Sequence, residues 1–302
     1  MTVGSDAWKL PGTLLQPKSA KPVAAVVLVH GSGPNDRDET ILGNKPFRDL
    51  AEGLASRGIA VLRYEKRTKV YGAKMADMKD LTVQEESVED AVRAVELLRD
   101  QPGIDARRVF VLGHSLGGYL LPMILEQSSH AAGGVALAGA TRPLEDLVLE
   151  QLEYLIPIQT AHSEAARKLG QQKLDETRLA VAAIKALEPG KEPTGPEVPP
   201  LLGVSAHYWL ALRDYNPPAL AAQLRKPLLI LQGERDYQVS MRDFGNWKAA
   251  LGTRENVTLK SYPTLNHLFI EGTGKSTLEE YTKPGYVSAS VIDDIAQWVL
   301  SH

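Results

Sequence analysis

Short apolar runs alternate along the chain with stretches whose apolar residues recur every three or four positions. Val23–Val29 is continuously apolar, the pattern of a strand buried on both faces. Ile59–Arg63, Val109–Leu112, Val135–Leu137 and Leu228–Leu231 read the same way, and Val257–Leu259 is a shorter candidate. Helical periods fall between them at Pro46–Ser56, Gln84–Arg99, Leu116–Gln127, Arg242–Leu251 and Tyr286–Leu300. Within Gln84–Arg99, Val88, Ala91, Val92, Val95 and Leu98 share one face. Strands alternating in this way with helices predict an α/β fold around a mostly parallel central sheet flanked by helices.

The alternation stops once, between Thr141 and Lys226. Helical patterns at Pro143–Leu155 and Ser163–Leu187 lead into Pro189–Pro200, where five of twelve residues are proline. Proline fixes φ and removes backbone donors, so this stretch reads as a loop. A short helix is expected over Gly203–Leu212, and Asn216 followed by Pro217 marks the start of another. The pattern therefore predicts a sheet core built from residues 1–140 and 227–302, with a helical insertion at 141–226. The insertion leaves the C-terminal end of a strand, where open parallel sheets hold their ligands. It is expected to act as a cap, or lid.

Composition narrows the chemistry. The 302 residues include no cysteine, which removes disulfides, thiolate nucleophiles and Cys-ligated metal centres. A net charge of −3 gives no electrostatic reason to expect nucleic acid as a partner. No apolar run approaches the roughly 20 residues that span a bilayer. Residues 1–11 carry neither a cationic start nor an apolar stretch, so no signal peptide is read there. The expected location is the cytoplasm, or outside it as a mature form whose leader has been removed.

Candidate chemistry centres on Gly113-His114-Ser115-Leu116-Gly117. A G-x-S-x-G string arises by chance in about one chain in ten of this composition, so its context must decide. An apolar strand runs directly into it and a helix-forming run leaves it. A serine on such a turn points its hydroxyl out of the top of the sheet, and flanking glycines let the turn close against neighbouring backbone. The following helix N-terminus leaves free N–H groups, that of Leu116 first, for a developing oxyanion.

The hydroxyl needs a base, and the base an orienting acid. In this fold order, the acid follows a late strand and the histidine follows the next one. Asp236 lies just beyond Leu228–Leu231, and His267 follows the strand near Val257–Leu259. Glu234 is the rival acid, two residues nearer the strand and early on the turn. His114 is expected to point away from the nucleophile, His130 to end a surface helix, and His162 and His207 to belong to the insertion. The second oxyanion donor is expected from the loop His30–Glu39, with the Ser32 N–H as the candidate. Asp36, Asp38 and Glu39 flank Arg37 there, so local ion pairing is expected rather than a metal site. Gly272-Thr273-Gly274-Lys275-Ser276-Thr277 mimics a phosphate loop, but Phe269 stands where its first glycine is required. It is read as a flexible loop.

From the strand before His30 to the last helix, the chain resembles the α/β-hydrolases. Gly113-His114-Ser115-Leu116-Gly117-Gly118 is the commonest form of their elbow. The loop Gly31-Ser32-Gly33-Pro34-Asn35-Asp36-Arg37-Asp38, with Arg63-Tyr64-Glu65-Lys66-Arg67, is similar to that of bacterial esterases of the EstD type. Those lie near the dienelactone hydrolases and the prolyl-oligopeptidase-like hydrolases. The resemblance implies an α/β-hydrolase fold with a helical cap and a Ser–Asp–His triad, here Ser115, Asp236 and His267. Some relatives carry a further N-terminal domain that these residues do not contain, and dienelactone hydrolases proper use a cysteine nucleophile, which is excluded here.

The expected function is hydrolysis of small carboxylic esters through an acyl-enzyme, without cofactor or metal. His207, Tyr208 and Trp209 in the insertion are candidate substrate contacts, although the two aromatics fit a cap core equally well. Two other readings remain: the same triad acting on amides, peptides or lactones, and a catalytically silent α/β-hydrolase serving as a ligand-binding module.

Overall fold

A computed structural model describes residues 1–4, 7–78, 80–190 and 203–302. Among them runs an eight-stranded sheet with spatial order β1-β2-β4-β3-β5-β6-β7-β8. The strands are β1 (Thr2–Val3), β2 (Leu10–Leu15), β3 (Val23–Val29), β4 (Ala60–Tyr64), β5 (Ile104–His114), β6 (Gly134–Leu137), β7 (Leu228–Gly233) and β8 (Val257–Tyr262). β1–β2 and β2–β4 pair antiparallel, and the five other pairings, from β4–β3 to β7–β8, are parallel. The predicted α/β fold with a mostly parallel sheet and a helical insertion is the observed one.

The helices are α1 (Pro46–Ala55), α2 (Arg67–Ala76), α3 (Glu89–Arg99), α4 (Leu116–Gln127), α5 (Leu144–Gln159), α6 (Glu164–Ala186), α7 (Ala206–Leu212), α8 (Pro217–Gln223), α9 (Met241–Leu251) and α10 (Ala289–Ser301). Alternate strand residues project to opposite faces of a sheet. Ala24, Val26 and Leu28 of β3, with Phe110 and Leu112 of β5, therefore meet one set of helices, α1 and α10. Phe47, Leu50 and Leu54 of α1 and Val291, Ile295 and Val299 of α10 complete that core. α3 and α4 pack on β5, and α9 packs on β7.

Several elements depart from expectation: β1 is an unexpected strand, and β5 begins at Ile104 rather than Val109. β2 is an additional strand; Pro11 and Gly12 interrupt its apolar pattern, and the pairing with β4 that orders it is invisible locally. α2 is an additional helix, kinked at Tyr71. Gln84–Arg99 opens with a π-turn over Gln84–Val88 that buries Glu86 before regular α3 begins.

The chain divides into two compact units. One comprises residues 1–76, 84–141 and 216–302, and the other 77–83 and 142–215. The second differs in extent from the expected 141–226 insertion, because α8 packs on α4 and α9 and so goes with the sheet. Asn216 Oδ1 caps α8 by accepting from the Ala219 N–H at 3.0 Å, with Pro217 in the first turn, as its sequence predicts. In the helical unit, Ala180, Val181 and Ile184 of α6 and Trp209 of α7 form a separate small core. The proline-rich stretch up to Pro200 lies, from 191 onward, outside the described residues.

Candidate active site

β5 ends at His114 and α4 begins at Leu116, so Ser115 alone makes the turn between them. Its backbone is held at φ 54° and ψ −113°, a conformation disfavoured for an L-residue. Such a residue costs about 1–3 kcal/mol and persists only where its surroundings impose it. Here the Ser115 N–H donates to the Leu137 carbonyl, and the Ser115 carbonyl accepts from the Tyr119 N–H, both at 2.9 Å. The side chain makes no capping bond to α4 and is only partly buried, which leaves the hydroxyl available. Close approach requires the flanking glycines: a Cβ on Gly113 would sit 2.1 Å from the Gly117 carbonyl oxygen, and one on Gly117 would sit 2.2 Å from that of Val29. Leu116 opens α4, where an N–H has no intrahelical acceptor.

Asp236 and His267 come together from loops 31 residues apart. His267 Nδ1 donates to Asp236 Oδ2 at 2.6 Å, and both residues are buried. Nε2 is thereby the ring nitrogen left with its lone pair. The other Asp236 oxygen accepts from the N–H groups of Gln238 at 2.7 Å and Val239 at 3.0 Å. Gln232, buried in β7, adds a bond from Nε2 to Asp236 Oδ2 at 3.1 Å. The acid turn and the histidine loop are joined by backbone bonds from Glu234 to Tyr262 and from Arg235 to Leu265. Asn266 Oδ1 accepts from the Leu268 and Ile270 N–H groups, which fixes the tight turn that carries His267. Glu234 is exposed and accepts from Ser261, away from this pair.

The loop after β3 lies against the elbow. A Cβ on Gly31 would fall 3.1 Å from Ser115 Cβ and 3.6 Å from Ser115 Oγ, so glycine brings the loop backbone against Ser115. The Gly31 N–H donates to Glu39 Oε1 at 2.7 Å, and the Gly31 carbonyl accepts from Lys66 Nζ at 2.8 Å. Lys66 also donates to Glu86 Oε1 at 2.6 Å. Ser32, next in the chain, is exposed, and among the described residues its N–H meets no acceptor. His30 donates from Nε2 to the Asp36 carbonyl at 3.0 Å, and burial lowers its pKa to about 4, which leaves it neutral near pH 7.

His114 is the residue whose role the sequence left unread. Its ring is buried, Nδ1 lies 2.9 Å from Glu39 Oε2, and Nε2 lies 2.9 Å from the backbone carbonyl of His267. The carbonyl can only accept, and so can an ionised Glu39 carboxylate, so this setting favours a ring that carries protons on both nitrogens. Burial opposes the charge, but the Glu39 carboxylate, its hydrogen bond and the His267 carbonyl together raise the His114 pKa. Glu39 responds in kind: burial pushes its pKa up, and the facing His114 charge and hydrogen bond bring it below the ordinary value. The His114 ring also packs on that of His267, with centroids 4.8 Å apart. Glu39 and His114 thus tie three segments together: the loop at Gly31, the elbow and the histidine turn.

The remaining candidates fall elsewhere. His207 is exposed on α7, Tyr208 and Trp209 are buried there, and Trp209 belongs to the core of the helical unit. The ion pairing expected within Asp36–Glu39 is not local: Asp38 pairs with Arg63 and Lys45, and Arg37 with Glu65. Asp36 accepts from Thr40 instead. In the loop Gly272–Thr277, the carbonyls of Thr273 and Gly274 accept from Arg235, which also pairs with Glu280. The loop read as flexible is thus anchored, and it turns acceptors rather than donors inward, the reverse of a phosphate site.

A doubly flanked parallel sheet with a strained serine at a strand-to-helix elbow, and an Asp–His pair on later strand ends, defines the α/β-hydrolase class. The alpha/beta hydrolase family matches residues 26–274, and the chain belongs to it. It is 45% identical over 294 residues to Esterase EstD of Thermotoga maritima, covering 96% of this chain but 65% of that protein's length. Among solved structures it is similar to Est1E from Butyrivibrio proteoclasticus, with a TM-score of 0.62 at 14% identity over 100% of this chain and 99% of the other. Proline iminopeptidase from Mycobacterium smegmatis also gives a TM-score of 0.62, at 17% identity, over 100% of this chain and 98% of the other. These structural likenesses concern the fold.

Proposed function

We propose that the protein hydrolyses small carboxylic esters through an acyl-enzyme formed on Ser115. The observation that carries this reading is the buried 2.6 Å bond from His267 Nδ1 to Asp236, made on a loop whose backbone is tied to the elbow through His114. The 45% identity to a protein named as an esterase supports the choice of ester.

In this reading, Ser115 Oγ attacks the ester carbonyl carbon while His267 Nε2 takes the hydroxyl proton. Asp236 holds the imidazole in the tautomer that presents Nε2, and stabilises the imidazolium once it forms. The negative charge that develops on the carbonyl oxygen is met by the N–H groups of Leu116 and Ser32. Collapse of the tetrahedral intermediate breaks the bond to the alcohol oxygen, which leaves with the proton from His267. Water, deprotonated by the same nitrogen, then attacks the acyl carbon; the bond to Ser115 Oγ breaks, that oxygen regains the proton from His267, and the acid is released. No step calls for a metal or cofactor. The insertion is proposed as a cap from its place in the chain after β6, with His207, Tyr208 and Trp209 as candidate substrate contacts.

A panel of p-nitrophenyl esters, lactones and aminoacyl amides tests the substrate class, and a fluorophosphonate probe tests the nucleophile. The expected result is ester turnover together with a phosphonyl adduct on Ser115. Turnover of the amides alone would move the assignment to peptide chemistry, and an unlabelled, inactive protein would leave a binding module.

A further inference from the structure

A buried lysine beside the nucleophile has no part in the chemistry above. The Lys66 side chain is 2% exposed, and its Nζ donates to Glu86 Oε1 at 2.6 Å and to the Gly31 carbonyl at 2.8 Å. Burying an ammonium and a carboxylate carries a large desolvation penalty, and an apolar pair of the same shape often serves stability as well or better. A fold that needed only to join β4 to the π-turn would therefore not require the charge.

The acceptor gives the charge a use. The Gly31 carbonyl and the Ser32 N–H are the two ends of one peptide group. An amide whose oxygen accepts a charged hydrogen bond shifts electron density toward that oxygen and becomes a stronger donor at nitrogen. We propose that Lys66 is a positioning residue for the oxyanion: it polarises and orients the Gly31–Ser32 peptide, so that the Ser32 N–H meets the reacting oxygen as a strengthened donor.

Three further contacts fit this role. Asn35 Nδ2 donates to the same carbonyl at 3.2 Å, the Gly31 N–H is held by Glu39 at 2.7 Å, and the Lys66 N–H itself donates to the Asn35 carbonyl at 3.1 Å. The Gly31 carbonyl is thus held by two donors and the preceding peptide N–H by Glu39, the kind of fixed setting that electrostatic preorganisation needs. Glu86 balances the lysine charge. The inference rests on the reading of the Ser32 N–H as an oxyanion donor.

The test replaces the buried pair by apolar residues of similar volume, Lys66→Met with Glu86→Leu, in the full chain. Ester kcat should fall by about fivefold to tenfold with KM within about twofold, since the lost interaction matters only where charge develops. Affinity for an aryl trifluoromethyl ketone, whose serine hemiketal carries an oxyanion, should fall by the same factor. Affinity for the corresponding secondary alcohol should not change. Lys66→Gln, which keeps a neutral donor and leaves Glu86 in place, should fall between the two and serves as the readout if the double variant does not fold. Unchanged kcat and ketone affinity in a folded variant, or equal losses for ketone and alcohol, would overturn the inference in favour of a purely structural lysine. Ser32→Pro separates the two levels. If it binds the ketone as tightly as the parent, the oxyanion reading itself fails and takes the lysine with it. If it binds weakly while both Lys66 variants bind normally, only the lysine inference falls.

Discussion

Ser115 concentrates two opposing demands in one residue. Its backbone at φ 54° makes the turn from strand to helix and leaves the hydroxyl without a capping bond to α4, and the same angle strains the fold. Ser115→Ala should lower kcat by about 10⁶, because a triad acts as a unit, with the fold unchanged by circular dichroism. Ser115→Gly should be equally inactive yet more stable by about 1 kcal/mol, since glycine adopts this backbone freely. A glycine variant that melts below the alanine variant would show that strain is not stored there. The acid can be tested as sharply. Asp236→Asn should cost on the order of 10⁴ in kcat by presenting the wrong imidazole tautomer, whereas Glu234→Gln should cost little. The reverse ranking in steady-state assays would place the acid two residues upstream, against the exposure of Glu234 and the bonding of Asp236.

At the scale of elements, the site is built by close approach of strand ends. Gly117→Ala would drive a Cβ to 2.2 Å from the Val29 carbonyl oxygen, so β3 and α4 must move apart. The expected loss is at least about 1–3 kcal/mol in urea unfolding, with activity lost as the elbow shifts. Gly245 is the matched control: it lies within α9, and a Cβ there meets no atom within 4 Å. Gly245→Ala should instead add about 0.5–1 kcal/mol with kcat unchanged. Equal behaviour of the two variants would remove close packing as the reason for the elbow glycines. The contrast between elements is also instructive for sequence reading. β3 and α4 were legible to the residue, because each is apolar enough to announce its own burial. β2 was not, since Pro11 and Gly12 mask a strand whose order comes from pairing with β4.

For the molecule as a whole, two buried histidines of the sheet unit give opposite pH dependence. The folded pKa of His30 is lowered to about 4, so the unfolded chain binds its proton first as pH falls from about 6.5. This group therefore removes stability progressively between about pH 6.5 and 4, by up to roughly 3 kcal/mol. His114 is shifted the other way; its contribution is complete below the unfolded value and is lost as pH rises through its raised folded pKa. His30→Gln keeps a donor for the Asp36 carbonyl and does not titrate. Its unfolding free energy should fall less than the parent's between pH 7 and 4.5 in urea titrations. An identical fall in both proteins would show that His30 does not govern the acid limb.

What the sequence determined by itself was local or periodic: the apolar runs that become parallel strands, the elbow around Ser115, and the order in which Asp236 and His267 follow their strands. Each is encoded within a few residues, and the parallel strand order then places Ser115, Asp236 and His267 after the C-terminal ends of β5, β7 and β8. The tertiary structure alone decided the charged supports. Glu39 finds His114 75 positions away, Lys66 finds Gly31 35 positions away, and Gln232 reaches Asp236 from inside a strand. Nothing in the neighbourhood of Glu39 or Lys66 distinguishes a buried ion pair from a solvated surface charge. Whether a charge is kept from water depends on which distant segments close over it, and local sequence holds no record of that.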